Sequence, residues 1–323
     1  MGKDNLFMKN NIVIISGSAH QSLAQDICGY LSLEMGKVDI RRFPDGEIDV
    51  RITSDVRGSD VFVIQPTCTP GSETLMELLI LIDCLRRASA GRIIAVIPYY
   101  GYARQDRKDA GRVPITAKLV ANLIVTAGAK RLLTMDLHAD QIQGFFDIPV
   151  DHLLAWVAFI PYFQQKKISD LVVVCPDVGS IKQARAYAKK LSGGLAIVDK
   201  RRDSPERVHT MHLIGDVKNK NALIVDDMIS SAGSIVEACK CVRNHGAKDI
   251  YLCATHPVLC GDSIKLLQNS SAKEIVVSNT IPLSAAKHFA NLKIISVAPF
   301  FAEAIRRIHN SESISSLFNR SMI

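Results

Sequence analysis

Two adjacent carboxylates, Asp226 and Asp227, follow a run of four apolar residues and precede a loop of small, hydroxyl-bearing residues at 230–234. The run predicts a buried β-strand, and the loop predicts the start of a helix. Backbone N–H groups at a helix N-terminus bind phosphate, and serine hydroxyls add further donors. The carboxylates would repel phosphate, so they suit ribose hydroxyls or a magnesium ion beside them. The segment predicts a sugar-phosphate site, and a strand-to-helix turn capped by serine is the alternative.

Three further segments carry side chains suited to a nucleotide and a metal ion. The Phe-Pro-Asp-Gly-Glu turn at Phe43–Glu47 exposes an aromatic ring that can stack on adenine. The glycine- and arginine-bearing segment 97–109 follows a predicted strand and can grip phosphates. His138 and Asp177 follow two other strands, and both could reach one metal ion or one phosphate chain. Each segment alone also fits a surface loop or, for the histidine, a structural role.

The pattern of apolar runs indicates which elements position these side chains. Short runs rich in valine and isoleucine alternate with amphipathic stretches, which predicts an α/β fold with doubly wound parallel sheets covered on both faces. The predicted strands are Ile12–Ser16, Val61–Gln65, Ile93–Ile97, Leu132–Asp136, Leu171–Cys175, Ala222–Val225, Ile250–Ala254, Glu274–Ser278 and Lys293–Val297. The predicted helices are Ser72–Ala90, Ile115–Ala127, Ile181–Leu191, Ser234–Asn244 and Phe301–His309.

The order of the strands repeats in part along the chain. In each half, the first interval between strands is about fifty residues and the second about thirty. This echo predicts two similar tandem domains, residues 1–150 and 151–323, joined near Pro149–Leu153. The nucleotide-binding turn and loop fall in the first domain, and the sugar-phosphate loop falls in the second.

The composition argues against several classes of protein. The net charge of +7 favours anionic partners, but the basic residues form only short clusters, which suit a small polyphosphate better than nucleic acid. None of the eight cysteines forms a CxxC pair, which indicates reduced thiols in a cytoplasmic protein. The longest apolar stretch, 153–163, is about half the length of a membrane span. We therefore expect a soluble protein that binds neither nucleic acid nor membrane.

Five longer motifs follow one another along the chain, at Phe43–Glu47, Tyr99–Asp106, Asp136–Asp147, Asp199–Arg202 and Asp226–Ser234. In this order they resemble the ribose-phosphate pyrophosphokinases, or phosphoribosyl pyrophosphate synthetases, of the phosphate-regulated class, and the likeness extends over nearly the whole chain. The resemblance implies two phosphoribosyltransferase-like domains and a magnesium-dependent reaction. In that reaction the anomeric hydroxyl of ribose 5-phosphate attacks the β-phosphorus of ATP in line, and AMP leaves.

The resemblance also implies roles for particular residues in nucleotide and metal binding. His138 and Asp177 are similar to the family's magnesium-associated pair. Phe43 and its turn would reach the ATP site from a neighbouring subunit, because the family assembles as homo-hexamers. The residues that match the family's ATP site are Phe43, Asp45, Glu47, Arg104, Gln105, Asp109 and His138.

Further residues match the family's sugar-phosphate, catalytic and regulatory positions. Lys200 and Arg202 are similar to the cationic pair that acts on the transferring group, at the base of a flexible flap through Asp203–His212. The regulatory site, which responds to phosphate and ADP, would include Arg57, Ser313, Ser315 and Phe318. The residues that match the ribose 5-phosphate loop are Asp226, Asp227, Ser230, Ser231, Ala232, Gly233 and Ser234.

The chain departs from the family pattern at two places, and two rival functions stay open. Ser230-Ser231 stands where the family usually has Asp-Thr, and Val178-Gly179-Ser180 stands where two glycines commonly follow Asp177. Loss of the acid at 230 could weaken the grip near the sugar hydroxyls. A phosphoribosyltransferase would share the 226–234 loop but would not need the second α/β half. An inactive regulatory subunit would be expected to lose Lys200–Arg202, which is intact here.

Overall fold

The computed structural model describes residues 11–177, 179–201 and 210–319, which form two compact units. Of the described residues, the first unit contains 11–153 and Ala298–Asn319, and the second contains the part of Leu154–Val297 outside the two internal gaps. No helix in the described ranges is long and apolar enough to cross a membrane.

A parallel five-stranded sheet forms the centre of the first unit, in the order β1-β4-β5-β6-β7. Met35 adds a parallel bridge to Ile14 on the outer edge of β1. The chain therefore turns to one side of β1 first and to the other side afterwards, which is the doubly wound topology. The sheet strands are β1 (Ile12–Ser16), β4 (Asp60–Ile64), β5 (Arg92–Ile97), β6 (Arg131–Met135) and β7 (Val150–Leu153).

Helices and one hairpin complete the first unit. The hairpin pairs β2 (Val38–Arg42) with β3 (Ile48–Ile52) in antiparallel fashion. The apolar faces of the long helices pack on the buried valine and isoleucine side chains of the sheet, which forms the core of this unit. The helices are α1 (Gln21–Leu31), α2 (Gly71–Arg87), α3 (Thr116–Ala127), α8 (Ala298–His309) and α9 (Ser316–Asn319).

The second unit has a sheet of seven strands in the order β10-β9-β8-β11-β12-β13-β14. All neighbours are parallel except β10 and β9, and the strand order reverses between β8 and β11. The strands are β8 (Leu171–Cys175), β9 (Gly194–Arg201), β10 (Thr210–Ile214), β11 (Asn221–Ile229), β12 (Ile250–Pro257), β13 (Glu274–Ser278) and β14 (Leu292–Ile295). The helices are α4 (Trp156–Lys166), α5 (Ile181–Lys190), α6 (Gly233–Asn244) and α7 (Ser263–Gln268).

The C-terminal helix lies in the first unit, which differs from the predicted second domain of 151–323. α8 packs against α1, and His309 at its end is 2.8 Å from the buried carboxylate of Asp60 at the start of β4. The apolar face of α8 buries Phe301, Ala302 and Ile305. Helical periodicity predicted this helix, but periodicity alone does not say which unit receives its apolar face.

Candidate active site

Three carboxylates approach one another where the strand order of the second unit reverses. Asp177 follows β8, and Asp226 and Asp227 lie in the neighbouring β11. Ser180 Oγ lies 3.2 Å from Asp177 Oδ1 and 3.2 Å from Asp226 Oδ1, so one hydroxyl links the two strand ends. In open α/β sheets this reversal point is where ligands bind. Asp226 and Asp227 were predicted to follow the strand, but they lie within it, because β11 continues to pair with β12 as far as Ile229.

Burial and the close carboxylates together raise the pKa of Asp226 to about 8, from an ordinary value of 3.8. Burial contributes most, because it disfavours the charged form, and the neighbouring charges of Asp227 and Asp177 add to it. A divalent cation would reverse this effect by favouring the ionised form. The oxygen donors here are of the kind that magnesium prefers, so the residues fit that ion. No group of three or more His, Cys, Asp or Glu residues in the described parts of the chain is already arranged to hold a metal.

The loop after β11 leads directly into the N-terminus of α6. Ala232 adopts a left-handed conformation with φ +65°, and α6 starts at Gly233 without a capping hydrogen bond from the side chain of Ala232, which has no polar atom. The hydroxyl-bearing Ser231 and Ser234 are exposed. These exposed hydroxyls lie beside the first N–H groups of a twelve-residue helix, an arrangement that suits phosphate, and their role in binding it stays a prediction.

The predicted catalytic cations are only partly within the described residues. Lys200 lies in β9, opposite Met211 of β10, and Asp199 lies opposite His212. Arg202, and the flap from Asp203 as far as residue 209, lie outside the described residues. The antiparallel pairing places Arg201 opposite Thr210, the described residues on either side of this gap, at the edge of the second sheet.

The predicted adenine-binding residues lie at the tip of the β2–β3 hairpin in the first unit. Phe43 N–H donates to Glu47 O at 2.9 Å and Gly46 N–H donates to Phe43 O at 2.8 Å, which closes a tight turn. Gly46 has φ +94°, a conformation that favours glycine. The turn leaves Phe43 51% exposed, with Asp45 and Glu47 exposed beside it. The ring is therefore free of the core of its own unit and is able to stack on a base.

The predicted phosphate-gripping loop after β5 has a fixed base and an exposed end. Gly101 N–H donates to Thr67 Oγ1 at 2.7 Å, and Tyr100 is buried with its hydroxyl donating to Ala117 O. Arg104, Gln105 and Asp109 all lie on the exposed part of the loop. The structure thus presents these three predicted ATP-binding residues to solvent from an anchored loop.

His138 follows β6 in a segment whose backbone is hydrogen-bonded to a second histidine. His138 is exposed, and Leu137 N–H next to it donates to Nε2 of His152 at 2.9 Å. Burial lowers the pKa of His152, and the bond requires the neutral ring because Nε2 must accept. Asp136 has φ +36°, a strained conformation for a residue other than glycine. His138 lies in the first unit and Asp177 in the second, so their pairing at one metal stays a prediction.

The predicted regulatory residues all lie in the first unit. Arg57 is exposed and forms a backbone bridge with Ala90. Arg307 of α8 holds the tail by donating to Ser313 O at 2.9 Å and to Ser316 Oγ. The residues of the tail that belong to the prediction are Ser313, Ser315 and the half-buried Phe318.

Sequence reasoning missed three residues that contact predicted site segments. Ser180 links Asp177 to Asp226, His152 holds the segment before His138, and Cys260 contacts Ser230. Ser180 had a signal, because it follows the Asp177 strand end at the usual position for a polar loop residue. His152 and Cys260 had none, because their partners are 15 and 30 residues away.

Comparison with known proteins identifies the family. Residues 12–128 match the model of the N-terminal domain of ribose phosphate pyrophosphokinase, and residues 201–319 match the phosphoribosyl synthetase-associated domain. The ribose-phosphate pyrophosphokinase of Caldanaerobacter subterraneus is 54% identical over 310 residues, which cover 96% of this chain and 98% of the relative. That of Rhodopirellula baltica is also 54% identical, over 94% of this chain and 98% of its own.

A solved structure agrees with these sequence matches. The crystal structure of the phosphoribosylpyrophosphate synthetase from Mycobacterium smegmatis superimposes with a TM-score of 0.90 at 42% identity, covering 94% of this chain and 100% of the other. This match confirms the predicted fold class of two tandem α/β domains with parallel sheets. The chain belongs to the ribose-phosphate pyrophosphokinase family of transferases.

Proposed function

We propose that the protein transfers the pyrophosphoryl group of ATP to the anomeric hydroxyl of ribose 5-phosphate, releasing AMP, and that it requires Mg²⁺. The observation that carries this proposal is the cluster of Asp177, Asp226 and Asp227 in the same unit as the N-terminus of α6, whose N-cap residue is an alanine. Carboxylates suit the ribose hydroxyls, and helix-start N–H groups suit the 5-phosphate. A sugar phosphate presents both kinds of group.

The sugar phosphate is held by the second unit. The 5-phosphate accepts hydrogen bonds from backbone N–H groups at the start of α6 and from the exposed Ser231 and Ser234. The vicinal hydroxyls donate to Asp226 and Asp227, which fixes the ring and directs its anomeric hydroxyl outward. Because no covalent intermediate with the protein is needed, positioning supplies much of the catalysis.

The nucleotide is held by residues of the first unit. The exposed ring of Phe43 stacks on adenine, and the carboxylates of Asp45 and Glu47 accept from the base and ribose. Arg104 binds phosphate oxygens from the anchored loop. By the family resemblance, the Phe43 turn serves the site of a neighbouring subunit in a homo-hexamer.

Charge on the transferring group is neutralised by cations. Lys200 and Arg202 offset the charge that develops on the β-phosphoryl oxygens and on the leaving AMP. Mg²⁺, when bound, would neutralise phosphate oxygens, and Asp177, Asp226 and Asp227, with His138, are the residues that would hold it. The predicted flap at Asp203–His212, with Lys200 at its base, would exclude water, which otherwise hydrolyses ATP.

The remaining expectations complete the proposal. Phosphate and ADP regulate the enzyme at a site that includes Arg57 and the residues Ser313, Ser315 and Phe318 of the tail. The protein acts in the cytoplasm, where ribose 5-phosphate and ATP are both available. It uses neither nucleic acid nor membrane as a partner.

The test is an assay of AMP formed from ATP with Mg²⁺, with and without ribose 5-phosphate. AMP that appears only with the sugar supports the proposal, whereas a folded protein that binds ATP but forms no AMP indicates a regulatory subunit. Lys200→Ala should reduce turnover by about a hundredfold or more while ATP binding changes little, because the cation acts mainly in the transition state. Near-normal turnover of that variant would remove Lys200 from the mechanism.

A further inference from the structure

The entry to the sugar-phosphate loop is tied to a neighbouring segment that follows β12. Beyond the last paired residues of β11 and β12, Leu259 N–H donates to Ile229 O at 3.0 Å and Cys260 N–H donates to Ser230 O at 3.1 Å. Two backbone hydrogen bonds therefore join the chain segments that follow the two strands, outside the regular sheet pairing. These bonds hold the first residue of the loop rather than its phosphate-binding end.

The segment that supplies these bonds, residues 258–260, is held by burial and by a further hydrogen bond. Leu259 is 2% exposed and packs in the same core cluster as Ile229 and Ala232, which flank the start of the loop. Lys287 Nζ donates to Val258 O at 3.2 Å from another part of the unit. Because this segment is buried and hydrogen-bonded, it can restrict the position of the loop that it contacts.

The side chain of Cys260 adds a contact that depends on residue type. Its thiol lies 3.4 Å from the hydroxyl of Ser230, and Cys260 is exposed whereas six of the eight cysteines are buried and Cys84 is half-buried. The backbone bonds do not depend on the side chain unless proline removes the N–H donor, but this contact requires a polar atom at both positions. Ser230 stands where the family usually has Asp, and in this chain its hydroxyl contacts the thiol of Cys260.

From this geometry we propose that Cys260 is a positioning residue for the sugar-phosphate loop, acting through Ser230 to set the affinity for ribose 5-phosphate. The inference rests on the proposed function of that loop. Cys260 does not touch the substrate; it fixes the side chain and carbonyl of the residue from which the 231–234 cradle extends. A preorganised loop loses less conformational freedom when it binds its ligand, so losing the contact weakens binding.

The test compares Cys260→Ala with Cys260→Ser. Cys260→Ala should raise the KM for ribose 5-phosphate by about two- to tenfold, the range for losing one neutral hydrogen bond. The KM for ATP and kcat should stay unchanged, because the nucleotide residues and the flap are untouched. Cys260→Ser should restore the parent KM, because a hydroxyl can replace the thiol as a hydrogen-bonding partner. Cys84→Ala, a change to the half-buried cysteine on α2, serves as the control.

A double-mutant cycle tests the route through Ser230. In a Ser230→Ala background, Cys260→Ala should change the Kd for ribose 5-phosphate, measured by calorimetry, by less than about 1.5-fold, because the contact is already lost. Equal effects of Cys260→Ala in both backgrounds would overturn the inference, as would equal rises in both KM values. If the parent chain neither binds ribose 5-phosphate nor forms AMP with it, the proposed function fails, and this inference fails with it. If the parent does both and Cys260→Ala matches it, only this inference fails.

Discussion

Replacing Asp226 with asparagine should stabilise the free protein while it impairs sugar binding. In the folded protein the pKa of Asp226 is raised to about 8 by burial and by its carboxylate neighbours, against 3.8 ordinarily. The unfolded chain ionises this group near pH 4, but the folded chain resists ionisation until pH 8. Stability from this group is therefore complete below pH 4 and is lost progressively as the pH rises to about 8. Asparagine does not ionise, so the variant does not lose stability in this way as the pH rises.

The size of the effect follows from the same pKa. Each pKa unit corresponds to 1.36 kcal/mol, so a rise from 3.8 to about 8 sets an upper bound of about 6 kcal/mol at pH 8. The three carboxylates share the effect, and Asp177 is exposed to water, so we expect about 2 kcal/mol for Asp226 alone. The advantage of Asp226→Asn over the parent should be near zero at pH 4.5 and should grow through pH 8.

The assay is equilibrium unfolding in urea at several pH values, in the presence of a chelator. Asp216→Asn is the matched control, because Lys220 lowers the pKa of this exposed carboxylate and its loss should destabilise slightly. Adding Mg²⁺ should raise the stability of the parent more than that of Asp226→Asn. A difference in stability that does not widen between pH 4.5 and pH 8 would refute the reasoning.

Two other substitutions test how the first unit holds its nucleotide-binding segments. Gly101→Ala would place a Cβ 2.3 Å from Thr67 O, so it should destabilise by about 2 kcal/mol and raise the KM for ATP, whereas Gly111→Ala, with nothing within 4 Å, should do neither. His152→Asn should make stability less dependent on pH between 7.5 and 5.5. Burial lowers the pKa of His152, so the unfolded chain alone takes up a proton below about pH 6.5 and the parent loses stability there. Urea midpoints at both pH values check this, and an unchanged pH dependence in the variant would contradict it.

The buried strands could be predicted from sequence because they carry an unambiguous signal. The predicted β1 and β8 have the bounds found in the structure, since continuous valine and isoleucine runs between loops allow few other interpretations. The β2–β3 hairpin was predicted only as a turn, because its strands are half-exposed and alternate polar with apolar residues. β9 was missed for a similar reason: its glycine start and charged end resemble a loop.

The candidate site was predictable where chemistry is local in sequence. Asp226, Asp227 and the loop to Ser234 form one continuous motif, so their composition already indicated a sugar-phosphate site. The side chain of Ser180, in contrast, meets Asp226 only because β8 and β11 pair in parallel, 46 residues apart along the chain. Sheet order creates such contacts, and no short pattern encodes it.

The return of α8 to the first unit has a consequence for how the chain folds during synthesis. A ribosome releases α1 early, but α8, which packs against it, emerges much later, and its His309 lies 249 residues after its partner Asp60. The described residues of the second unit, by contrast, all lie within Leu154–Val297. The second unit can therefore fold before α8, the last long helix of the first unit, has been synthesised. Until then the surface of α1 that packs against α8 stays uncovered.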